Sequence, residues 1–205
     1  MASGSEKSAA KVAGILLAAG QSTRMGEKNK LLLPLGGRPL ILHPLQAMQE
    51  AGLTPIVVVL GHERERIARI LPGRVRVVEN PRFVSGMASS IAAGIAALQA
   101  TVRGAFLVFA DMPLLTPHHF RQLLRRFASE NRIVVPCVGK RRGHPVLFGR
   151  KYFPELANLT GDHGARGLLE KYAQCVVTVD VGDEAVFADI DDPETFEKLQ
   201  KRWEK

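Results

Sequence analysis

The sequence is short of several residue types, and each shortage excludes something. It holds two cysteines, Cys137 and Cys175, both inside apolar runs. Without a Cys-x-x-Cys pair or a framework of spaced cysteines, neither a zinc site nor a disulfide scaffold is available, and buried free thiols are expected. One tryptophan and two tyrosines leave few rings for stacking on single-stranded nucleic acid. No apolar stretch is long enough to span a bilayer, so no membrane partner is expected. Residues 1–10, "MASGSEKSAA", lack the apolar centre of a signal peptide. We read 1–11 as a flexible N-terminus or cloning remnant, 12–205 as one domain, and the address as cytoplasmic. The Walker pattern fails too: five residues separate Gly20 from Gly26, and Glu27 follows. There is no dinucleotide glycine fingerprint after a strand, no Gly-x-Ser-x-Gly elbow and no His-Glu-x-x-His.

What is present is a basic chain of net charge +8 with regularly spaced apolar runs. Basic balance suits nucleic acid or a phosphate-rich small ligand. The cations are scattered rather than striped, and a solvated surface accounts for most of them, so no nucleic-acid partner is expected. Runs at 12–17, 55–60, 75–78, 105–110, 133–138 and 176–181 are continuous rather than alternating, the pattern of strands covered on both faces. Helical spacing recurs at 40–51, 63–71, 87–100 and 117–128. Thr116 is placed to cap the helix that Pro117 opens, and Asp192 to cap the last one. The order predicts an α/β fold: a single-domain, Rossmann-like, mostly parallel sheet with helices on both faces. In such sheets ligands bind beyond the carboxyl ends of the strands.

Three stretches at those ends, and a fourth just before the last helix, carry chemistry. In "GILLAAGQSTRMGEKNK" an apolar run ends at Leu17, and Ala18, Ala19 and Gly20 let backbone N–H groups approach a ligand closely. Ser22, Arg24, Lys28 and Lys30 follow with a hydroxyl and cations suited to phosphate. A solvated glycine turn accounts for the same residues. "NPRFVSGMASSIAAGI" starts a helix near Met87, with Ser89 and Ser90 in its first turn, where a serine can cap or bind. "FLVFADMPLLTP" delivers Asp111 straight from a buried strand, and a carboxylate there suits Mg²⁺. In "FADIDDPETF", an extended backbone puts Asp189 and Asp191 on one face, where they repel unless a cation intervenes. A solvent-facing acidic turn is the alternative.

The stretch "LAAGQSTRMGEKNKLLLPLGGRPL" closely resembles the signature of the MobA-like nucleotidyltransferases, the family that includes the molybdenum cofactor enzymes. The likeness runs from residue 12 to the last helix. It implies Mg²⁺-dependent transfer of a nucleoside monophosphate to a phosphorylated acceptor. Leu17, Ala18, Ala19, Gly20, Arg24, Lys30, Gly86, Met87, Ser90 and Ala110 would bind nucleotide, with Ser90 near the base. Lys28 competes with Lys30 for the family lysine, and "NKLLLPLGG" favours Lys30. Arg24, Lys30 and Asp111 would be catalytic, and Asp111 with Asp191 or Asp189 would hold metal.

"KRRGHPVLFGR" and "TGDHGARGLLEKY" resemble the acceptor segments of the cytidylyl branch, so Arg142, Gly143, His144, Pro145, Asp162, Gly164 and Arg166 would address the acceptor. Alanine at position 19, where guanylyl relatives typically carry glycine, also points to that branch. The implied partners are CTP, molybdopterin-type molybdenum cofactor as acceptor and a recipient molybdoenzyme. GTP, a different phosphorylated acceptor, and a non-catalytic cofactor carrier are the alternatives.

Overall fold

The computed structural model describes residues 11–21, 29–161 and 164–203. The expected N-terminal segment, Arg24 and Asp162 lie outside that set, apart from Lys11.

The expected strands are present. Strand β1 (Val12–Ala18) pairs in parallel with both β4 (Ile56–Leu60) and β6 (Gly104–Phe109), with Leu16 opposite Val58 on one side and Val108 on the other. Strand β5 (Arg76–Glu79) extends the parallel set beyond β4. On the other flank, β9 (Val146–Gly149) runs antiparallel between β6 and β7 (Ile133–Val138), and β10 (Val176–Asp180) closes the sheet parallel to β7. The strand order is β10-β7-β9-β6-β1-β4-β5, with the two-residue β8 (Arg141–Arg142) attached to β7. Two features were not expected: the reversal of β9 and a small hairpin of β2 (Pro34–Leu35) and β3 (Arg38–Pro39). Two-residue strands are too short to show a period.

The continuous apolar runs are explained by two cores, one on each face. Val12, Leu16 and Ala18 of β1 join one, with Leu45 and Met48 of α1 (Leu42–Glu50), Phe120 and Leu123 of α4 (Pro117–Arg126), and Phe196 and Leu199 of α7 (Pro193–Trp203). Ala13 and Ile15 join the other, with Ile91 and Ile95 of α3 (Met87–Ala96), Leu156 of α5 (Phe153–Ala157) and Leu168 of α6 (Arg166–Lys171). Alternate side chains of one strand thus feed opposite cores, and each fully buried leucine or isoleucine contributes about 1.5–3 kcal/mol. Strand β5 departs from the expectation of burial on both faces. It is an edge, and Val77 is exposed there. The remaining helix, α2 (Arg64–Ala68), is shorter than its charged pattern suggested.

Helix α3 sits close to the sheet because residue 94 is glycine. A β-carbon there would lie 2.5 Å from a γ-methyl of Ile15 and 3.2 Å from one of Val59. Among the described residues no helix is long and apolar enough to cross a membrane.

Candidate active site

Because β1, β4, β5 and β6 are parallel, their carboxyl ends share one edge, and the main chain ties the exits together. Ala110 N–H donates to the Leu17 carbonyl at 3.2 Å, and Asn80 N–H to the Leu60 carbonyl at 2.8 Å. Just past β1, the Asn29 side chain accepts from Leu31 N–H at 3.0 Å and caps a 3-10 turn, Lys30–Leu32, whose Leu31 is buried. That anchor leaves Lys30 on the edge of the sheet. From the far end of the chain, Ile190 buries its side chain and donates its N–H to the Asp111 carbonyl at 3.0 Å. This main-chain clip brings the acids on either side of Ile190 up to Asp111.

The result is a three-residue charge cluster from three distant parts of the sequence. The Lys30 ammonium donates to Asp111 Oδ2 at 2.6 Å and to Asp191 Oδ1 at 3.0 Å. Burial works against the Lys30 charge, but Asp111 and then Asp191 outweigh it, so its pKa lies above the ordinary lysine value and the side chain stays charged. Asp189 has no bond to that ammonium. Its pKa is raised by burial, and the neighbouring charges of Asp191 and Asp111 add to the rise. Of the two acids left open by the sequence, Asp191 is the one that converges with Asp111.

The expectation of a Lys30 directed at phosphates is modified: its ammonium sits between two carboxylates that would otherwise repel each other. Two carboxylate oxygens aimed at one cationic point also fit Mg²⁺, which takes one or two carboxylates and completes its shell with water and substrate phosphates. Among the described residues no cluster of three or more His, Cys, Asp or Glu side chains could hold a metal, so among them this pair is what such a shell could use.

Two cavities adjoin one another at this edge, the first lined by Lys30 and Asp111. The first, about 620 Å³, is lined by Leu17, Ala18, Ala19, Gly20, Lys30, Gly86, Met87, Ser90 and Asp111, all expected on sequence grounds. It also takes in Gln21, Phe83 and Val84, which the sequence had not singled out. Gly86 is the entry to α3 at φ 103°, a left-handed backbone that favours glycine. Ala110 does not line the cavity. Its side chain is buried in the core beneath, because it points to the opposite face of the strand exit from Asp111.

The second cavity, about 780 Å³, has an apolar floor that includes Ile91, Leu107, Val146 and Phe148 and a rim with Lys140, Arg141, Arg142 and Arg166. Gly143, His144 and Gly164 line it as expected, while Pro145 is buried and does not. The His144 ring lies 4.5 Å from that of Phe109, and its Nδ1 is buried without a hydrogen-bond partner among the described residues. Burial holds its pKa below the ordinary histidine value, against the opposing pull of Asp189. The two cavities share Leu17, Met87 and Phe109 as a common wall.

Sequence reasoning also missed the supports. The buried His119 accepts from Thr116 N–H at 3.1 Å, inside the cap of α4, and meets Asp183 Oδ2 through Nε2, also at 3.1 Å. Asp183 in turn accepts from Ala185 N–H at 2.9 Å, and His144 N–H donates to the Val186 carbonyl at 2.8 Å. This chain of bonds fastens residues 183–187, just ahead of the acids, to α4 and to the second cavity. A histidine three residues after a cap was the available signal, as a variant of the capping box; its distant partner had none. Asp192 caps α7 as expected, accepting from Thr195 N–H at 2.8 Å.

Known proteins share this sequence pattern and fold. Residues 14–176 fit the model of the MobA-like NTP transferase domain. Nicotine blue oxidoreductase of Paenarthrobacter nicotinovorans is 34% identical over 92% of this chain and 96% of that one. The bifunctional protein GlmU of Sinorhizobium fredii is 33% identical over 66% of this chain, which spans only 30% of that relative's length. Among solved structures, Rv0371c of Mycobacterium tuberculosis H37Rv superposes with a TM-score of 0.83 at 28% identity, covering 94% of this chain and 99% of that one. The same Rv0371c has also been solved in complex with manganese. With a family model over most of its length and a fold shared from end to end, the chain belongs to the MobA-like NTP transferase domain family and is a nucleotidyltransferase.

Proposed function

We propose that this nucleotidyltransferase moves CMP from CTP to the phosphate of molybdopterin-type molybdenum cofactor, giving its cytosine dinucleotide and pyrophosphate. The observation that carries the reading is the shared wall. A charge cluster lies at one cavity, an apolar cavity with a cationic rim adjoins it, and the two share Leu17, Met87 and Phe109 as lining. Two ligands seated on either side would meet at that boundary.

A phosphomonoester is mostly dianionic near neutral pH, its second pKa being about 6. Its oxygen is therefore a competent nucleophile without a catalytic serine or base. It attacks the α-phosphorus in line, a new P–O bond forms, the bond to the β-phosphate breaks, and pyrophosphate leaves with the electron pair. The obstacle is repulsion between anions. The backbone of Ala18, Ala19 and Gly20 seats the nucleotide, and Lys30, with Arg24, neutralises the phosphates that leave. Asp111 and Asp191 would hold Mg²⁺, which when bound offsets negative charge on the triphosphate. Arg142 and Arg166, on the rim of the second cavity, orient the acceptor phosphate, while the apolar floor takes its ring system. The choice of CTP rests on Ala19, the position at which the cytidylyl branch differs from the guanylyl one.

Incubation with each NTP, Mg²⁺ and molybdenum cofactor, with the product identified by mass, tests the proposal. Cytosine dinucleotide and stoichiometric pyrophosphate are expected; product from GTP alone, or none from any NTP, overturns it. A second reading follows the relative named as an oxidoreductase. A change in the oxidation state of an organic substrate, with no pyrophosphate from any NTP, would favour that reading.

A further inference from the structure

His119 lines neither cavity, yet its ring is buried and both of its nitrogens are used. Nδ1 faces Thr116 N–H at 3.1 Å. A backbone N–H can only donate, so Nδ1 accepts and carries no hydrogen. The ring hydrogen is therefore on Nε2, which donates it to Asp183 Oδ2 at 3.1 Å. One ring thus joins two stretches of chain whose linked residues lie 64 positions apart.

Each stretch leads to one of the acids on Lys30. Thr116 closes the run that leaves β6 through Asp111. Between those two, Met112 and Leu115 are buried, and Leu115 N–H donates to the Met112 carbonyl at 3.4 Å. Asp183 opens the run that ends at Asp191. Its Oδ1 accepts from Ala185 N–H at 2.9 Å. Further along, Ala188 N–H donates to the Ala185 carbonyl at 3.3 Å and Asp189 N–H to the Phe187 carbonyl at 3.2 Å, while Ala185, Val186 and Ile190 are buried. The two runs touch directly where Ile190 N–H donates to the Asp111 carbonyl at 3.0 Å. A single hydrogen bond is a pivot. The second tie, through His119, stops the runs from turning about it.

We propose that His119 is a positioning residue that, with Asp183, fixes how the Asp111 and Asp191 carboxylates face each other and so sets the affinity of the pair for a divalent cation. The inference rests on reading that pair as the metal site. Groups behind the ligands that orient them are worth about 10–100-fold in metal affinity. The role needs one acceptor and one donor held rigidly, not a ring that titrates. Glutamine can supply both. Its Oε1 accepts from Thr116 N–H, as a glutamine three residues after a cap ordinarily does, and its Nε2 donates to Asp183.

The test uses Mn²⁺ as the probe, with its binding to the whole chain in the absence of nucleotide followed by electron paramagnetic resonance. The wild type, Asp111→Ala, His119→Gln, His119→Ala and Asp183→Asn are compared. Hydrogen exchange at Ile190 N–H is measured by NMR on the metal-free proteins, and unfolding midpoints are recorded beside it. Asp183→Asn keeps the shape but cannot accept at both ends, so one of its two bonds becomes donor against donor. The Asp183 side chain is 53% exposed, so this variant opens no hole in the core and serves should His119→Ala not fold. His119→Ala and Asp183→Asn are expected to weaken Mn²⁺ about tenfold and to speed exchange at Ile190, while His119→Gln keeps the wild-type values of both. Wild-type Mn²⁺ affinity in folded Asp183→Asn, with stability alone reduced, overturns the proposal. So does a His119→Gln that binds Mn²⁺ as weakly as His119→Ala. An Asp111→Ala that binds Mn²⁺ like the wild type sinks the metal reading instead. The tie is then judged on exchange alone, and wild-type exchange at Ile190 in Asp183→Asn overturns it.

Discussion

The two cavities share a wall but are built in different ways. The first lies where parallel strands end side by side, so its lining comes from short segments that directly follow β1, β5 and β6 and the first turn of α3. Its polar side chains include Gln21, Lys30, Ser85, Ser90 and Asp111, with Asp191 reaching Lys30 at 3.0 Å from outside the lining. The second lies over the antiparallel flank, where β8, β9 and α6 supply an apolar floor and a rim of exposed cations. A triphosphate is the same in every cell, and a rigid edge can be made to fit it. An acceptor recognised by exposed arginines over an apolar bed can change with few substitutions. Under the proposed function, the first cavity carries the chemistry and the second the choice of acceptor.

The largest effect is expected in the first. Asp111→Ala removes one of the two carboxylates on Lys30 and should lower kcat about 10³-fold, the scale on which charge stabilisation operates at such sites. The fold should survive, because the bond from Ile190 N–H is to the Asp111 carbonyl and not to its side chain. Pyrophosphate release and thermal unfolding, measured together, check both halves. Retained release in a folded variant would remove Asp111 from the chemistry.

The same contrast decided how much could be read without coordinates. Parallel strands covered on both faces announce themselves as continuous apolar runs, and the residues after them are adjacent in sequence. Ala18–Gly20 and Asp111 were therefore legible as candidates from pattern, whereas Gly86 and Met87 entered as site residues through the family resemblance. The convergence of Lys30, Asp111 and Asp191 was legible only as separate candidates, since separations of 81 and 161 residues leave no local trace. Ala110 was misplaced because a strand exit alternates faces, and the neighbour of an edge residue faces the core. The reversal of β9 had no signal, since a short buried strand reads the same in either direction. Asn80 and His119 were not singled out. Only their distant partners, Ser89 and Ser90 for one and Asp183 for the other, mark them.

Next in size is a change that should disturb both cavities at once. Helix α3 contributes Met87 to the common wall and Ser90 to the first cavity. Gly94 sets its distance from β1 and β4, with Ile15 only 2.5 Å from a β-carbon at that position. Gly94→Ala should cost about 1–3 kcal/mol of stability, the ordinary penalty for overpacking, visible as a lower midpoint in denaturant. KM for nucleotide and acceptor should rise together; a rise in one alone would mean that the cavities do not share α3 as a structural wall.

Arg166→Ala separates them again. Its side chain is 85% exposed, and its link to Glu170 is a loose 3.6 Å pair, so stability should not change. The acceptor KM should rise about tenfold with kcat and the CTP KM nearly unchanged, the pattern of a contact equally strong in ground and transition states. An effect confined to the CTP KM would place Arg166 on the wrong side of the wall.

The smallest effect is a pH dependence confined to the second cavity. Burial against Phe109 holds the His144 pKa below its ordinary value, the opposing charge of Asp189 notwithstanding. The neutral imidazole is thus favoured in the folded state, and protons bind more readily to the unfolded chain. By linkage, this contribution to stability is fully present above the unfolded pKa, about 6.5, and is lost as pH falls from there through the lower folded value. His144→Phe keeps a ring beside Phe109 and removes the titration. The variant should therefore show a weaker decline in melting temperature below pH 6.5 than the parent. Its transfer rate at saturating acceptor, governed by the first cavity, should keep the parent's pH profile. Parallel melting curves for the two proteins would show instead that His144 is solvated and that the second cavity is open to water down to its floor.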